Sequence, residues 1–232
     1  MSRATTGRRL SRVGLASSAV AAACTAGLVA APATAAGNAR VNVVHGIPGV
    51  AVKICVDGRA MANDVHYGDT MVGTRLSSTT HRVRLVAAGK PCNAMAILTS
   101  TYTLKSGHNY TIVASLNSGG RPKLTAFVNA VNPTAAAKAR LVVRHTAQAP
   151  AVNVWANSTK LVGGKSFTWG SSATLAAPAG TYAVKVTLPG SSKAVIGPVS
   201  RTLRQGQAYQ YYAVGSPGHY RLVTVKVAVG TR

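Results

Sequence analysis

Seven residues, "NDVHYGD" from Asn63 to Asp69, hold the densest set of proton-handling side chains in the sequence. Asp64 and His66 stand two apart, which places them on one side of a strand, and Asp69 follows closely. Two carboxylates around an imidazole could begin a metal site or a general acid–base pair. The supply of acids is otherwise very small. The chain has three acidic residues, Asp57, Asp64 and Asp69, and no Glu. Asp57 precedes Gly58 in a dipeptide suited to a two-residue hairpin turn. A paired-carboxylate mechanism is therefore confined to Asp64 and Asp69, and the second half of the chain, which lacks acids, cannot repeat a Ser-His-Asp set. The expectation is a protein that is not an enzyme and needs no metal or cofactor. The alternative is a secreted hydrolase or metal-dependent enzyme built on Asp64, His66 and Asp69.

Basic side chains are plentiful by contrast. The sequence carries 26 Lys and Arg and a formal net charge of +23. Arg82, Arg84, Arg140, Arg144 and Lys185 fall on the outward side of alternating segments, with almost no acids to pair with. Such self-repulsion costs stability, so internal salt bridges do not explain it. Contact with a polyanion outside the cell does: anionic wall polymers or acidic surface glycans. No aromatic-rich basic nucleic-acid motif accompanies the charge, so specific nucleic-acid binding is not expected. Trp155 and Trp169 are candidate aromatic contacts that could stack on a sugar, or could serve the fold.

The start of the chain points the same way. Arg3, Arg8, Arg9 and Arg12 precede an apolar, small-residue run over residues 13–31, then Ala33-Thr34-Ala35. That order reads as a secretory signal cleaved near Ala35, with no membrane-spanning segment left afterwards. Cys24 departs with it, leaving Cys55 and Cys92, and two cysteines in an oxidising compartment read as one disulfide.

The elements that carry these residues come in two sets. "ARVNVVHGIPGVAVKI" at residues 39–54 returns as "ARLVVRHTAQAPAVNV" at residues 139–154. Tyr67-Gly68 returns as Trp169-Gly170, and "LKSGHNYTIVA" from Leu104 returns as "LRQGQAYQYYA" from Leu203. The repeat predicts a signal over residues 1–35, one domain over 36–130, a linker over 131–138 and a second domain over 139–232. Within each copy apolar residues alternate with period two and turn residues separate the runs, which predicts an all-β chain of two antiparallel sandwiches. The shared Leu-Gly-Tyr spacing, ending at Tyr110 and Tyr209, is that of a tyrosine corner and argues for an immunoglobulin-like sandwich. His45 and His145 recur at the end of the first strand of each copy. A histidine bonded to a turn backbone is one reading; a pH-sensitive contact is the other.

The opening "ARVNVVHGIPGVAVKICVDG", the aromatic-Gly pair and the strand "SGHNYTIVA" together resemble the bacterial domain of unknown function 4397, in two tandem copies. That resemblance implies export and a β-sandwich fold, and it implies no chemistry. Members usually carry Ala-Ser-Pro-Asp-Ala-Pro after the histidine. Here Gly46 to Val50 and Thr146 to Pro150 replace it without an Asp, so no role for that residue is carried over.

Overall fold

The computed structural model describes residues 37–229, so the leader and its Ala33-Thr34-Ala35 site lie outside the described residues. Sixteen strands run through them. The first eight are β1 (Asn38–His45), β2 (Val52–Val56), β3 (Arg59–Val65), β4 (Thr70–Ser77), β5 (Thr80–Ala87), β6 (Ala96–Thr103), β7 (Asn109–Leu116) and β8 (Pro122–Asn129). The second eight are β9 (Lys138–His145), β10 (Asn153–Ala156), β11 (Thr159–Val162), β12 (Ser172–Pro178), β13 (Gly180–Thr187), β14 (Ala194–Leu203), β15 (Ala208–Val214) and β16 (Arg221–Val227). They form four sheets of four strands, ordered β3-β2-β5-β6, β4-β1-β7-β8, β12-β9-β15-β16 and β11-β10-β13-β14. Each set of eight thus makes one sandwich with the same topology as the other.

Two pairings depart from the antiparallel expectation: β1 lies parallel to β7, and β9 parallel to β15. A parallel pair needs a long connection between its strands. The intervening strands, most of them in the other sheet, provide one, and alternation along a strand carries no information on partner direction.

Period-two patterning fills each sandwich. Val41 and Val43 of β1 meet Ile54, Val83, Leu85, Tyr110 and Ile112 in the first core. Leu141 and Val143 of β9 meet Val154, Val184, Val186, Tyr209 and Tyr211 in the second. The tyrosine corner is present in both copies: the Lys105 N–H donates to the Tyr110 hydroxyl at 3.1 Å, and the Arg204 N–H to Tyr209 at 3.0 Å. Asp57 and Gly58 take φ of 50° and 79°, the left-handed pair that the hairpin turn requires. In the second copy Asn157 occupies the Asp57 position with φ of 53°.

A third apolar layer lies between the sandwiches. Val44 and Val113, on the other face of β1 and β7, pack with Ala208, Tyr212, Val214, Val223, Val225 and Val227 of β15 and β16. The two inner sheets are therefore covered on both faces. Several polar groups in this layer bond one another, although the Gln210 amide and Ser115 Oγ have no protein partner. Asn42 donates to Asn109 Oδ1 and the Tyr110 carbonyl, each at 2.9 Å, and Asn129 donates to Asn109 Oδ1 and Thr111 Oγ1, each at 2.8 Å. Arg144 completes the network from the second sandwich by donating to Asn129 Oδ1 at 3.0 Å and to the Tyr212 hydroxyl. Its guanidinium lies 4.5 Å from the centroid of Phe127 and 5.3 Å from that of Tyr212. The segment between the sandwiches is also held, because Arg140 donates to the carbonyls of Ala130, Asn132 and Pro133.

The Cys55–Cys92 disulfide joins β2 to the loop before β6 across 37 residues. Arg84 grips the same loop, donating to the carbonyls of Cys92 at 2.6 Å and Ala94 at 2.7 Å.

Three outcomes follow from this packing. Opening the disulfide by Cys55→Ser with Cys92→Ser is expected to lower stability by about 4 kcal/mol from the loss of loop closure alone, read as a shift in the urea midpoint against the oxidised parent. Replacing Arg144 by Ala should cost about 3 kcal/mol, because it leaves Asn129 and Tyr212 short of a charged donor in a buried layer. An unchanged urea midpoint would contradict that.

The third concerns pH. His81 is buried, with Nδ1 2.6 Å from Asp57 Oδ2 and Nε2 2.8 Å from the Ser77 carbonyl, so both nitrogens face acceptors and the imidazolium is favoured. Burial opposes this, but Asp57 and the Ser77 carbonyl outweigh it and raise the pKa. His145 is lowered chiefly by burial, with only its Nε2 bonded, to the Pro150 carbonyl. A raised histidine stabilises below its unfolded value of about 6.5 and loses that contribution as pH rises through its folded value, whereas a lowered one costs stability as pH falls below about 6.5. His81→Gln should therefore cost more near pH 5.5 than near pH 8, and His145→Gln less, in urea titrations at the two values.

Candidate functional site

Asp64, His66 and Asp69 lie together at the turn between β3 and β4. The His66 ring is 3.7 Å from Asp64 Oδ1 and 3.8 Å from Asp69 Oδ2, with the three side chains 64%, 68% and 55% exposed for His66, Asp64 and Asp69 in turn. Asp69 Oδ2 also accepts the His66 backbone N–H at 2.8 Å, closing the turn on itself. The ring–carboxylate distances are longer than hydrogen bonds, and all three side chains are more than half exposed. Among the described residues, no group of three or more His, Cys, Asp or Glu is placed to hold a metal ion.

His45 and His145 occupy equivalent places at the ends of β1 and β9. Each Nε2 lies 2.8 Å from a carbonyl five residues on, Val50 or Pro150, which makes each a donor that shapes the following turn. Burial lowers the pKa of His45 as it does that of His145.

The five cations read as outward contacts separate by environment. Arg82 is exposed. Arg84 is half-buried and its guanidinium holds the Cys92 loop; Arg140 is half-buried and holds residues 130–133. Lys185 lies 5.6 Å over the ring of Trp155. Arg144 requires a correction. It is 4% exposed, and burial lowers its pKa, so it is not a surface contact for a polyanion. It does lie opposite Leu141, Val143 and His145, but the face opposite one core is here the face of a second. Reversing its charge would break the layer between the sandwiches before it altered any binding.

Trp169 does not stand free to stack on a sugar. Its Nε1 donates to the Leu116 carbonyl at the end of β7 at 3.0 Å, and Lys123 of β8 lies 5.0 Å over the ring. Tyr67, its counterpart in the repeat, makes the reciprocal contacts. Its hydroxyl donates to the His219 carbonyl beyond β15, and Arg221 of β16 lies 5.0 Å over its ring while donating to its carbonyl at 2.9 Å. Lys123 and Arg221 hold matching places, paired with Ser115 and Val214 at the ends of β7 and β15. A contact that recurs with its partners exchanged is the mark of twofold packing. The repeated aromatic-Gly pair is thus a clasp between sandwiches. The following glycines also match: the Gly68 and Gly170 N–H groups donate to the His45 and His145 carbonyls at 2.7 and 2.8 Å. Trp155 is half-buried on the outer sheet, with Nε1 donating to Thr187 Oγ1 at 3.1 Å, and its ring is shared with Lys185.

A cationic cleft that the spacing of residues did not reveal opens where β14 and β16, the edge strands of the second sandwich, fail to close. It is an open groove of about 500 Å³ lined by Arg201, Arg221 and Lys226 together with Ser200, Thr202, Tyr211 and Thr224. Gly68 and Thr70, flanking the Asp69 turn, form its far wall. No acidic residue lines it. The available signal was the contrast between copies: Arg201, Tyr211, Thr224 and Lys226 stand where the first sandwich has Tyr102, Ile112, Ala126 and Val128, as the strand registers show.

No curated protein matches the chain at a meaningful level. Residues 39–155 match the family described as Domain of unknown function (DUF4397), a stretch that begins in β1, runs through β8 and ends in β10. That match spans half of the 232 residues and agrees with the opening, the aromatic-Gly pair and the tyrosine-corner strand, so the chain belongs to the DUF4397 family.

Proposed function

We propose that the protein is a secreted, non-catalytic binding and structural module of the bacterial cell envelope, taking anionic wall polymers or surface glycans as partners through two tandem family domains. One observation carries this reading. Among the described residues, every salt bridge uses a histidine, and no Lys or Arg is paired with an acid. The charge is therefore not a by-product of internal ion pairing. Some of it is held by carbonyls and aromatic rings, as at Arg84, Arg140 and Arg144. The rest, including Arg82, Arg59, Lys90, Arg204 and Lys226, faces solvent. A surface of one sign raises the local concentration of polymers of the other sign and speeds their capture. Rigid strands on both sides of a shared apolar layer suit a module that bears such a load without rearranging.

The reading is tested with the full chain, because each sandwich alone would expose Val44, Val113, Tyr212 and Val225 of the shared layer. Retention on anionic wall preparations should fall steeply as salt rises, since exposed charges are screened within about 10 Å at 0.1 M ionic strength and bound counterions are released on contact. A plot of log affinity against log salt should be linear with a negative slope. Flat retention across the series, or equal retention on a neutral glycan, would remove the electrostatic reading.

A further inference from the structure

The open edge of the second sandwich differs in kind from the rest of the basic surface. In the first sandwich β6 and β8 approach each other along the corresponding edge, whereas β14 and β16 do not to the same degree. Arg201 reaches across the gap, donating from Nη2 to the Leu222 carbonyl of β16 at 3.3 Å and from Nη1 to the Ser200 carbonyl at 3.0 Å. Its Nε and the Thr224 Oγ1 are both buried with no protein partner. Lys226 is exposed at one end of the cleft, and Arg221 stands at the other with its guanidinium fixed over Tyr67. Burial pushes the Tyr211 hydroxyl up to about 12, so it is a neutral donor at ordinary pH. Asp69 is the nearest acid in the chain to the far wall, and it is turned to the His66 N–H and ring.

We infer that this cleft is a specific site for a phosphodiester-linked sugar or polyol unit of an anionic polymer, with Arg201, Arg221 and Lys226 around the phosphate and the Tyr211 hydroxyl as a further donor. The inference rests on the envelope-binding reading and names where, and by which chemistry, that binding is selective. Three cations with no acid among the lining residues define the charge of the ligand. The guanidinium N–H groups left over from the Ser200, Leu222 and Tyr67 carbonyls, with the Lys226 ammonium, suit the several oxygens of a phosphate. A volume of about 500 Å³ exceeds one phosphate and leaves room for the unit that bears it. The first sandwich cannot share the role, since Tyr102, Ile112, Ala126 and Val128 stand in the equivalent places.

The experiment is a titration of isotope-labelled full chain with a short poly(glycerol phosphate), followed by amide shifts, with oligogalacturonate of equal charge as a second arm. Shifts should concentrate at residues 200–202 and 221–226. Arg201→Gln with Lys226→Gln should weaken phosphate-polymer binding about tenfold more than Arg59→Gln with Lys90→Gln, which removes the same charge from exposed positions of the first sandwich. Tyr211→Phe, which deletes one oxygen, should weaken it about threefold and covers the case in which the double variant fails to fold. Equal losses from both double variants, shifts scattered over both sandwiches, or equal affinity for the carboxylate polymer would overturn the cleft assignment while leaving general polyanion binding intact. Failure of the unaltered protein to bind either polymer at low salt would instead overturn the parent reading.

Discussion

Arg144 carries its charge into the layer where two sheets meet, and every group around it is neutral. Asn129 Oδ1, the Val128 carbonyl and the Tyr212 hydroxyl accept its N–H groups, and the rings of Phe127 and Tyr212 take its faces. Removing a guanidinium from water costs several kcal/mol unless its donors are bonded. With three acids in the whole chain, carboxylates could not answer that cost, and carbonyls, amides and aromatic faces answer it instead. The arrangement works only when both inner sheets are in place, because its acceptors come from β8 and β15. The two sandwiches therefore supply the acceptors of this one guanidinium between them.

The clasp at the ends of that layer follows the same chemistry. Trp169 and Tyr67 each donate to a carbonyl of the opposite sandwich, and each ring is faced by a cation from the matching position of β8 or β16. A protein short of acids uses π faces where others use carboxylates. The exchange of partners between copies shows why the aromatic-Gly pair recurs although the residues after the histidine do not. The pair serves contact between copies, and both copies meet the same geometric demand.

This mutual packing also shapes the basic surface. On β9, Arg144 is drawn inward and Arg140 onto the connecting segment, whereas Arg40 of β1 and Lys138 of β9 stay exposed. Where the second sandwich leaves its edge open, Arg201, Arg221 and Lys226 gather around a cleft that the first sandwich fills with apolar residues. The two sandwiches thus differ at this edge although they share one topology.

Alternation and repetition are local, and what they encode was legible from the residues. The all-β class, the paired sandwiches, the left-handed Asp57-Gly58 turn, the tyrosine corners at Tyr110 and Tyr209, and the Cys55–Cys92 pair all arise from spacing within a copy or from cysteine count. The fate of the second face of each strand was decided only by tertiary packing. Alternation states that Arg144 and Leu141 point to opposite sides; it is silent on whether the opposite side meets water or another sheet. A trace of the answer was present in "YTIVAS" and "AYQYYAV", where both faces of β7 and β15 carry groups that tolerate burial, as strands covered on two sides do. The cleft left a fainter trace, since Arg201, Tyr211, Thr224 and Lys226 lie on three strands up to 25 residues apart in the chain. Only the failure of β14 and β16 to close brings them to one opening, and that gap depends on side-chain volume summed over two edges, which no single stretch of sequence records.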